Sequence, residues 1–547
     1  MKENRKITIN KKINKSNGFT QSINVIDSED IEKATEILNK YKEGKTNLEN
    51  RIIDNEQWFK MRHWEQMRNS KGNEFASAWL FNSIANKHAD AMDSFPKVNC
   101  LPREASDKET ANILTEILSV IFERNDFEKI YSDTWWYKLK AGTGVYGIFW
   151  NPQKQNGLGD IEIKQMNILN LFWEPGVKDI QKSKNLFCVE LVDNDVLIST
   201  YPKLKGKLGG SSIEISKYIY DDTVDTTGKS AVVDWYYKKH INSVEQLHYC
   251  KFCNGEILYS SENDPQYCEK GFYSHGQYPF VFDTLFVEEG TPCGFGYIDI
   301  MKDAQKQIDI LNNAIIKNAV MGTEKRYFIN SSGAVNEEEF ADWSNSFVHV
   351  NGSNLGDDSI REIRTNPIPE IYLGVLNSKI DELKETSGNR DFSQGGVSSG
   401  VTAASAIAAL QEAGGKLTRD MVKGGYRAFC ELNKLAIELI RVFYDEPRFF
   451  RIILPNGNEE FISYDNSNLI SERDNDLFGV VIGGRKPVFD IKVSSEKSNP
   501  FTKISQNELA LQLYNSGMFN PEYREQAFAA INMMDFEGKS EVLNRLR

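Results

Sequence analysis

Apolar residues return every three to four positions from Asp27 to Glu43, where Ile31, Ala34, Ile37, Leu38 and Tyr41 share one stripe. Asp27 or Ser28 can cap that stretch and acids fill its first turn, so the spacing predicts a helix over 27–43. The same period recurs from Trp79 to Pro96 and from Ser106 to Lys140, predicting two further helices. It then gives way to short apolar runs punctuated by Gly, Pro and Asn. Residues 145–150, 160–165 and 186–192 read as strands, and strands resume at 231–238 and 246–260. Asn254-Gly255 inside the last run is a hairpin signal. Residues 202–230, rich in Gly, Lys, Ser and Asp, read as an exposed loop around one short strand.

The second half has a different rhythm. Residues 298–321 form one helical pattern free of Pro, with Ile298, Met301, Ala304, Ile308, Leu311 and Ile315 facing one way. Lys302, Lys306, Asp309, Asn313 and Lys317 face another. In 322–366, strands YFIN and FVHV flank a short helix opening with Asn336 and three glutamates. Helix returns from Pro367 to Thr386, followed by a polar, glycine-rich loop. Residues 402–443 are helical throughout, about 60 Å at about 1.5 Å per residue. Gly414-Gly415 and Gly424-Gly425 are the expected bends. Strands follow over 448–493 (RFFRIIL, EEFISY, PVFDIKV), and helix over the last 50 residues.

A length of 547 residues implies several domains with ample core. The net charge of −13 argues against tight nucleic-acid binding through phosphate neutralisation, but not against a surface that nucleic acid slides past. No apolar run reaches the roughly 18–20 residues of a membrane span. Residues 1–25, rich in Lys and Asn, predict a disordered tail and no secretory leader. Seven cysteines, sparse and odd in number, predict a reduced cytoplasmic setting.

Catalytic patterns match only on paper. Gly142-Thr143-Gly144 with Gly147 is a literal GxGxxG, but helix precedes it and strand follows, the reverse of a dinucleotide site. Gly396-Val397-Ser398-Ser399-Gly400 is a literal GxSxG without the upstream buried strand of a nucleophile elbow. Cys250 and Cys253, with Cys268 and two histidines nearby, make half of a zinc knuckle that lacks its second pair. There is no GxxxxGK[ST] and no HExxH. The chain is therefore expected to be no enzyme and to need no cofactor. A hydrolase using Ser398, or a zinc protein using Cys250, Cys253 and Cys268, is the rival reading.

The order long helix, small insert, returning helix, glycine-rich loop, very long helix resembles the portal proteins of tailed bacteriophages, particularly siphovirus-like phages of Gram-positive hosts. Residues 289–303 (EGTPCGFGYIDIMKD) resemble that family's entry into its first stem helix. Residues 386–413 resemble its tunnel loop and long helix, with TAASAIAALQEAGGKLTRDM the strongest match. WFKMRHW (58–64) and 142–150 fit the wing, and 487–500 the wing strand before the C-terminal crown. The resemblance covers about residues 50–515. Another oligomeric virion component is the second rival.

The resemblance implies an α+β portal fold: wing 26–297, first stem helix 298–321, clip 322–366 and second stem helix 367–387. A tunnel loop would occupy 388–401, the long bent helix and wing strands 402–499, and crown helices 500–547. It implies a homo-oligomeric ring, usually of twelve copies, at one capsid vertex of the virion, assembled in the host cytoplasm. Double-stranded DNA would pass through it without sequence specificity. The large terminase subunit, then head-completion or adaptor proteins, would dock on it, and major capsid and scaffolding proteins would surround it. No membrane is involved. Loop residues Arg390, Asp391, Phe392, Ser393, Gly395, Gly396, Ser398 and Gly400 would form the constriction. Phe392 is either an anchor or a lumen-facing ring. Lys302, Lys306 and Lys317 would line the channel or pair with neighbouring subunits.

Overall fold

The computed structural model describes residues 26–63, 75–208, 228–241, 244–323, 326–329, 336–342, 349, 360–363, 369–388, 416–453, 459–469, 472–475, 481–485, 487–497, 512, 515–517, 524–533 and 542–543. They form a mixed α and β structure divided into two units. One comprises 26–42, 184–208 and 228–277, the other 43–183 and 278 onward.

In the first unit, strands β5 (Asn185–Asp193), β6 (Lys229–Ile241), β7 (Val244–Cys253) and β8 (Glu256–Ser260) lie side by side, all antiparallel. Asn254 and Gly255 both take positive φ, 47° and 80°, as a two-residue turn of this hairpin requires. A short helix, α5 (Asn194–Thr200), follows β5 and buries Leu197 against Val232. Helix α1 (Ser28–Phe59) begins in this unit. Asp27 caps it, its Oδ1 accepting from Glu29 N at 3.0 Å and Asp30 N at 3.2 Å. Ile31, Ala34 and Leu38 are buried, as the stripe requires.

Helix α1 does not stop at residue 43. Its second half, in the other unit, buries a largely polar face, so no apolar stripe announces it. Lys45 donates its ammonium to the carbonyls of Ile168 and Leu171 at 2.6 and 2.7 Å, and lies over the Phe172 ring.

The second unit is built around β2 (Thr143–Asn151), antiparallel to β3 (Asp160–Met166) on one edge and β9 (Phe280–Thr284) on the other. A short strand, β4 (Leu171–Trp173), follows β3. Helices α4 (Phe127–Ala141) and α9 (Lys416–Phe443) pack on this sheet. The ring of Trp135 meets α9 at Gly425, where a Cβ would lie 2.8 Å from Cζ2. Gly425 serves this close approach, and the helix runs through Gly424 and Gly425 unbroken.

Two expectations are corrected here. The helix read as reaching Pro96 ends at Met92 (α2, Trp79–Met92), and Ser94–Pro102 is strand β1. Proline biases its predecessor to extended backbone, and β1 finds its partner far along the chain in β18 (Phe489–Lys497), Ser94 facing Lys497. The pattern 106–140 is two helices, α3 (Lys108–Arg124) and α4, broken where Asp126 takes φ 51°. Asn125 brackets the break, donating to Ile121 O at 2.8 Å and Ile161 O at 3.1 Å. Beyond α9, β14 (Arg448–Ile453) pairs β15 (Glu459–Tyr464), and β16 (Glu472–Asn475) pairs β17 (Val481–Arg485). Among the described C-terminal residues, α10 (Arg524–Met533) is the main helix. The loop at 202–230 is described only up to 208 and from 228.

Candidate functional site

After β9, the strands β10 (Phe286–Val287) and β11 (Gly294–Phe295) pair and deliver the chain into helix α6 (Tyr297–Thr323). Asp299 starts α6, its Oδ2 accepting from Gly296 N at 2.9 Å. Asn55 of α1 donates to Asp299 Oδ1 at 3.0 Å and to Lys140 O at 3.2 Å. Arg51 donates to Gly294 O at 2.7 Å, and Lys140 pairs with Glu56 at 2.7 Å. The buried polar half of α1 therefore fixes the start of α6.

Further along α6, three residues spaced by four hold the segment that leads into α2. Gln305 Oε1 accepts from Leu80 N at 3.1 Å, and its amide donates to Ser77 O at 2.8 Å. Asp309 Oδ1 accepts from Ser77 N at 2.8 Å, Ser77 Oγ at 2.6 Å and Gln305 Nε2 at 2.9 Å. Its Oδ2 lies 3.1 Å from His63 Nε2, and the His63 ring stacks on Trp58 at 4.0 Å. Asn313 accepts from Phe75 N and donates to Phe75 O, both at 2.9 Å. The sequence reading put Asp309 and Asn313 on a polar outer face. Asp309 is instead completely buried, with its lone pairs used on backbone and side-chain donors.

The three lysines divide. Lys302 pairs with Asp54 of α1 at 3.3 Å, both half-exposed. Lys306 and Lys317 are exposed. Past Ile308 the burial fades: Ile310, Ile316 and Val320 are 48, 44 and 47% exposed. Helix α8 (Glu370–Ser387) packs against α6 and buries Leu376 and Leu383. Its first turns expose Ile371 at 69% and Leu373 at 48%. Between the helices, β12 (Arg326–Ile329) pairs antiparallel with β13 (Ile360–Ile363), so the excursion leaves and returns side by side. The short helix α7 (Glu337–Ala341) is capped by Asn336, which accepts from Glu339 N at 3.4 Å. The second strand is at 360–363. The FVHV stretch expected to be a strand lies almost wholly outside the described residues, as do Arg390, Asp391, Phe392, Ser393, Gly395, Gly396, Ser398 and Gly400.

The enzyme-like patterns resolve into packing. Gly142 ends α4 with φ 85°, donating to Lys138 O at 2.9 Å, and Gly144 gives Thr134 room against β2. That helix-to-strand order places no helix N-terminus for a pyrophosphate. Cys250 and Cys253 are three apart on a regular β6–β7 ladder and so fall on opposite faces. Cys253 packs with Leu197, Leu204 and Val232, and burial pushes the Cys250 thiol up to about 12. Cys268 donates to Pro265 O at 3.6 Å. These three do not converge on one ion.

Sequence reasoning missed two buried polar groupings. Lys138 and Asp283 form an ion pair of 2.7 Å with almost no exposure, the ammonium 4.0 Å from the Trp135 ring centroid. Burial holds the Lys138 pKa below its usual value against the pull of Asp283. His248 Nδ1 lies 3.3 Å from Ser261 Oγ, beside Glu262, a serine, histidine and acid together. Ser261 and His248 are sealed, and Ser261 Oγ accepts from Tyr249 N at 2.9 Å, so the trio is a structural knot. A histidine in one strand and a serine–acid pair just past the end of the next was the only signal for it.

What this arrangement offers is mechanical: a helix pair rooted in a polar clamp, with an insert at one end and bare apolar turns beside it. Among the described residues no helix is long and apolar enough to cross a membrane, and no group of His, Cys, Asp or Glu is placed to hold a metal. The chain is 21% identical over 311 residues to the portal protein of Helicobacter pylori bacteriophage KHP30. That alignment covers 55% of this chain and 45% of the relative, so the chain spans less than half of the relative's length. The family model for phage P22-like portal proteins matches residues 89–547. That match takes in the sheet, both packed helices, the insert and the long helix α9, and the chain belongs to the phage P22-like portal protein family.

Proposed function

We propose that the chain is the subunit of a closed ring at one capsid vertex, through which double-stranded DNA is packaged and ejected. Family membership supports this reading. The observation that carries it is the far half of α6 with the facing turns of α8. Ile310, Ile316, Val320, Ile371 and Leu373 are left exposed on helices whose roots are tightly held. Single scattered apolar residues are ordinary, but a run of them along two packed helices needs a cover. A cyclic array of identical subunits supplies one without leaving open ends.

In this reading 26–297 is wing, 298–321 and 367–387 are stem, 322–366 is clip and 388–401 is the tunnel loop. Residues 402–499 supply the long helix and further wing strands, and 500–547 the crown. The ring has twelve copies in the virion and assembles in the host cytoplasm among capsid and scaffolding proteins. The clip receives the large terminase subunit and then head-completion or adaptor proteins. DNA passes without sequence readout, in keeping with the net charge of −13, and no catalytic step belongs to this chain. Lys306 and Lys317 face the lumen and offer exchangeable phosphate contacts, whereas Lys302 is held by Asp54. The narrower affiliation, with siphovirus-like phages of Gram-positive hosts, rests on the sequence motifs alone, because the family is P22-like and the relative is a Helicobacter pylori phage protein. Mass photometry of the purified chain at micromolar concentration tests the ring: closed oligomers of one size are expected, and monomers alone would overturn the proposal.

A further inference from the structure

A half-open groove of about 310 Å³ lies in the second unit between β1, α3, the start of α4 and α9. Its floor is aromatic. Phe122 and Phe127 meet at 4.7 Å between ring centroids, and Phe429 of α9 closes on them at 5.2 and 5.5 Å. Phe95 of β1 stands beside Phe127 at 6.1 Å and is only half-buried. Four consecutive residues of β1, 95–98, contribute to the wall. Among the described residues β1 has a strand partner on one side only, β18, and on its other edge Cys100 N donates to Thr115 Oγ1 and Ser94 O accepts from the Tyr426 hydroxyl, both at 2.9 Å.

The rim is acidic. Glu123, Asp126 and Glu128 cluster at the break between α3 and α4, are all exposed, and pair with no cation among the described residues. The backbone fixes that cluster, since Asp126 N donates to Glu123 O at 3.0 Å and Asp126 takes the left-handed conformation. Lys97 is the one cation on the wall, and it already has an interaction of its own.

We propose that this groove is a docking site for a cationic polypeptide segment of a partner protein, which seats a large apolar side chain on Phe122, Phe127 and Phe429 and sets its lysines or arginines against Glu123, Asp126 and Glu128. An aromatic floor rewards burial of a large apolar group, and aromatic anchors in pockets dominate such contacts. Three unpaired carboxylates select for positive flanks and against nucleic acid or any anionic surface. An apolar floor beside a rim of several carboxylates suits a chain that carries apolar and cationic side chains together, as a polypeptide does. The site is separate from the stem helices and does not depend on the ring reading.

The test uses the full chain and a fluorescein-labelled peptide with one tryptophan between four lysines. Saturable binding by fluorescence anisotropy is expected, weakening as salt rises. The combined variant Glu123→Gln, Asp126→Asn, Glu128→Gln keeps side-chain shape, and asparagine tolerates the left-handed backbone. It should weaken binding at least about tenfold. Ser119→Trp, on an exposed position of the wall, should block it by filling the groove. Equal binding by the neutralised variant, by a peptide with alanine for tryptophan, or by one with glutamates for lysines would overturn the proposal. So would no binding by the unaltered chain. Mass photometry on the same samples reads the ring separately, since none of these substitutions touches α6 or α8.

Discussion

Helix α6 begins as one of the best-anchored elements of the molecule and ends as one of the barest. Over its first half, Tyr297, Ile298, Met301, Gln305, Ile308 and Asp309 are buried, and polar side chains from three segments are spent on it. Over its second half, Ile310, Ile316, Val320 and Met321 are open to solvent, while their sequence is as apolar as before. The stripe buried in the first half continues half-buried through Leu311 and Ile315, while the exposed Ile310, Ile316 and Val320 lie off it. Where the chain's own segments reach it, the face is closed and its polar neighbours are satisfied. Where the described segments do not, apolar side chains stay open to solvent. Local sequence specifies the helix, and only the fold decides which half the protomer covers for itself.

Removing the anchor should have the largest effect. Asp309→Ala deletes the acceptor for Ser77 N, Ser77 Oγ and Gln305 Nε2, and leaves His63 facing a void. Hydrogen bonds to a carboxylate contribute about 1.5–3 kcal/mol each, and breaking a buried charged network typically costs about 3–5 kcal/mol. Urea unfolding should register a loss of that order. Hydrogen exchange should show residues 75–80 losing protection before the sheet does. If 75–80 stay protected in the variant, Asp309 is not what holds them.

Much of this architecture is legible in the sequence, for reasons that differ by element. Helix α6, strands β2, β3 and β5 to β8, and the Asn254-Gly255 turn are set by local pattern and were readable from it. The second half of α1 was not. The side chains it buries, Lys45, Glu49, Asn55 and Glu56, are those a pattern reader assigns to solvent. Strand β1 was misread because its partner is nearly four hundred residues away and Pro96 looked like a helix terminus. Asp309 and Asn313 looked like part of a wet stripe, and Gln305 was not singled out. Their strict spacing of four, with amides flanking a carboxylate, was the available hint of a backbone clamp. The enzyme-like motifs among the described residues failed as sites because glycines and cysteines were answering packing demands.

Close packing at the sheet gives a smaller effect with a sign test built in. Gly425→Ala places a methyl 2.8 Å from Trp135 Cζ2, and overpacking of this kind costs about 1–3 kcal/mol. Its neighbour Gly424 has no atom nearer than 3.8 Å to such a methyl. Gly424→Ala should therefore stabilise by about 0.5–1 kcal/mol, through helix propensity alone. Denaturant midpoints of the two single variants should move in opposite directions. A shared direction would mean that Gly424-Gly425 acts as a bend in α9 and not as a contact surface for Trp135.

The smallest effect on the protomer should accompany the clearest effect on assembly. Ile316 and Val320 lie four apart on the exposed half of α6, so both fall on one side of the helix. Neither is buried, and surface changes away from special features usually stay within about 0.5 kcal/mol. Ile316→Asp with Val320→Asp should leave the unfolding midpoint of the protomer almost where it was. In a subunit interface, each new carboxylate would be desolvated against an apolar neighbour, which is costly without a partner. Rings should be lost in mass photometry while Asp309→Asn, which keeps the clamp's shape, still permits them. Intact rings carrying both aspartates would place the cover for α6 elsewhere, in the insert or in a partner of a different kind. A drop in protomer stability comparable to that of Asp309→Ala would erase the distinction between the anchored and the bare halves of the helix.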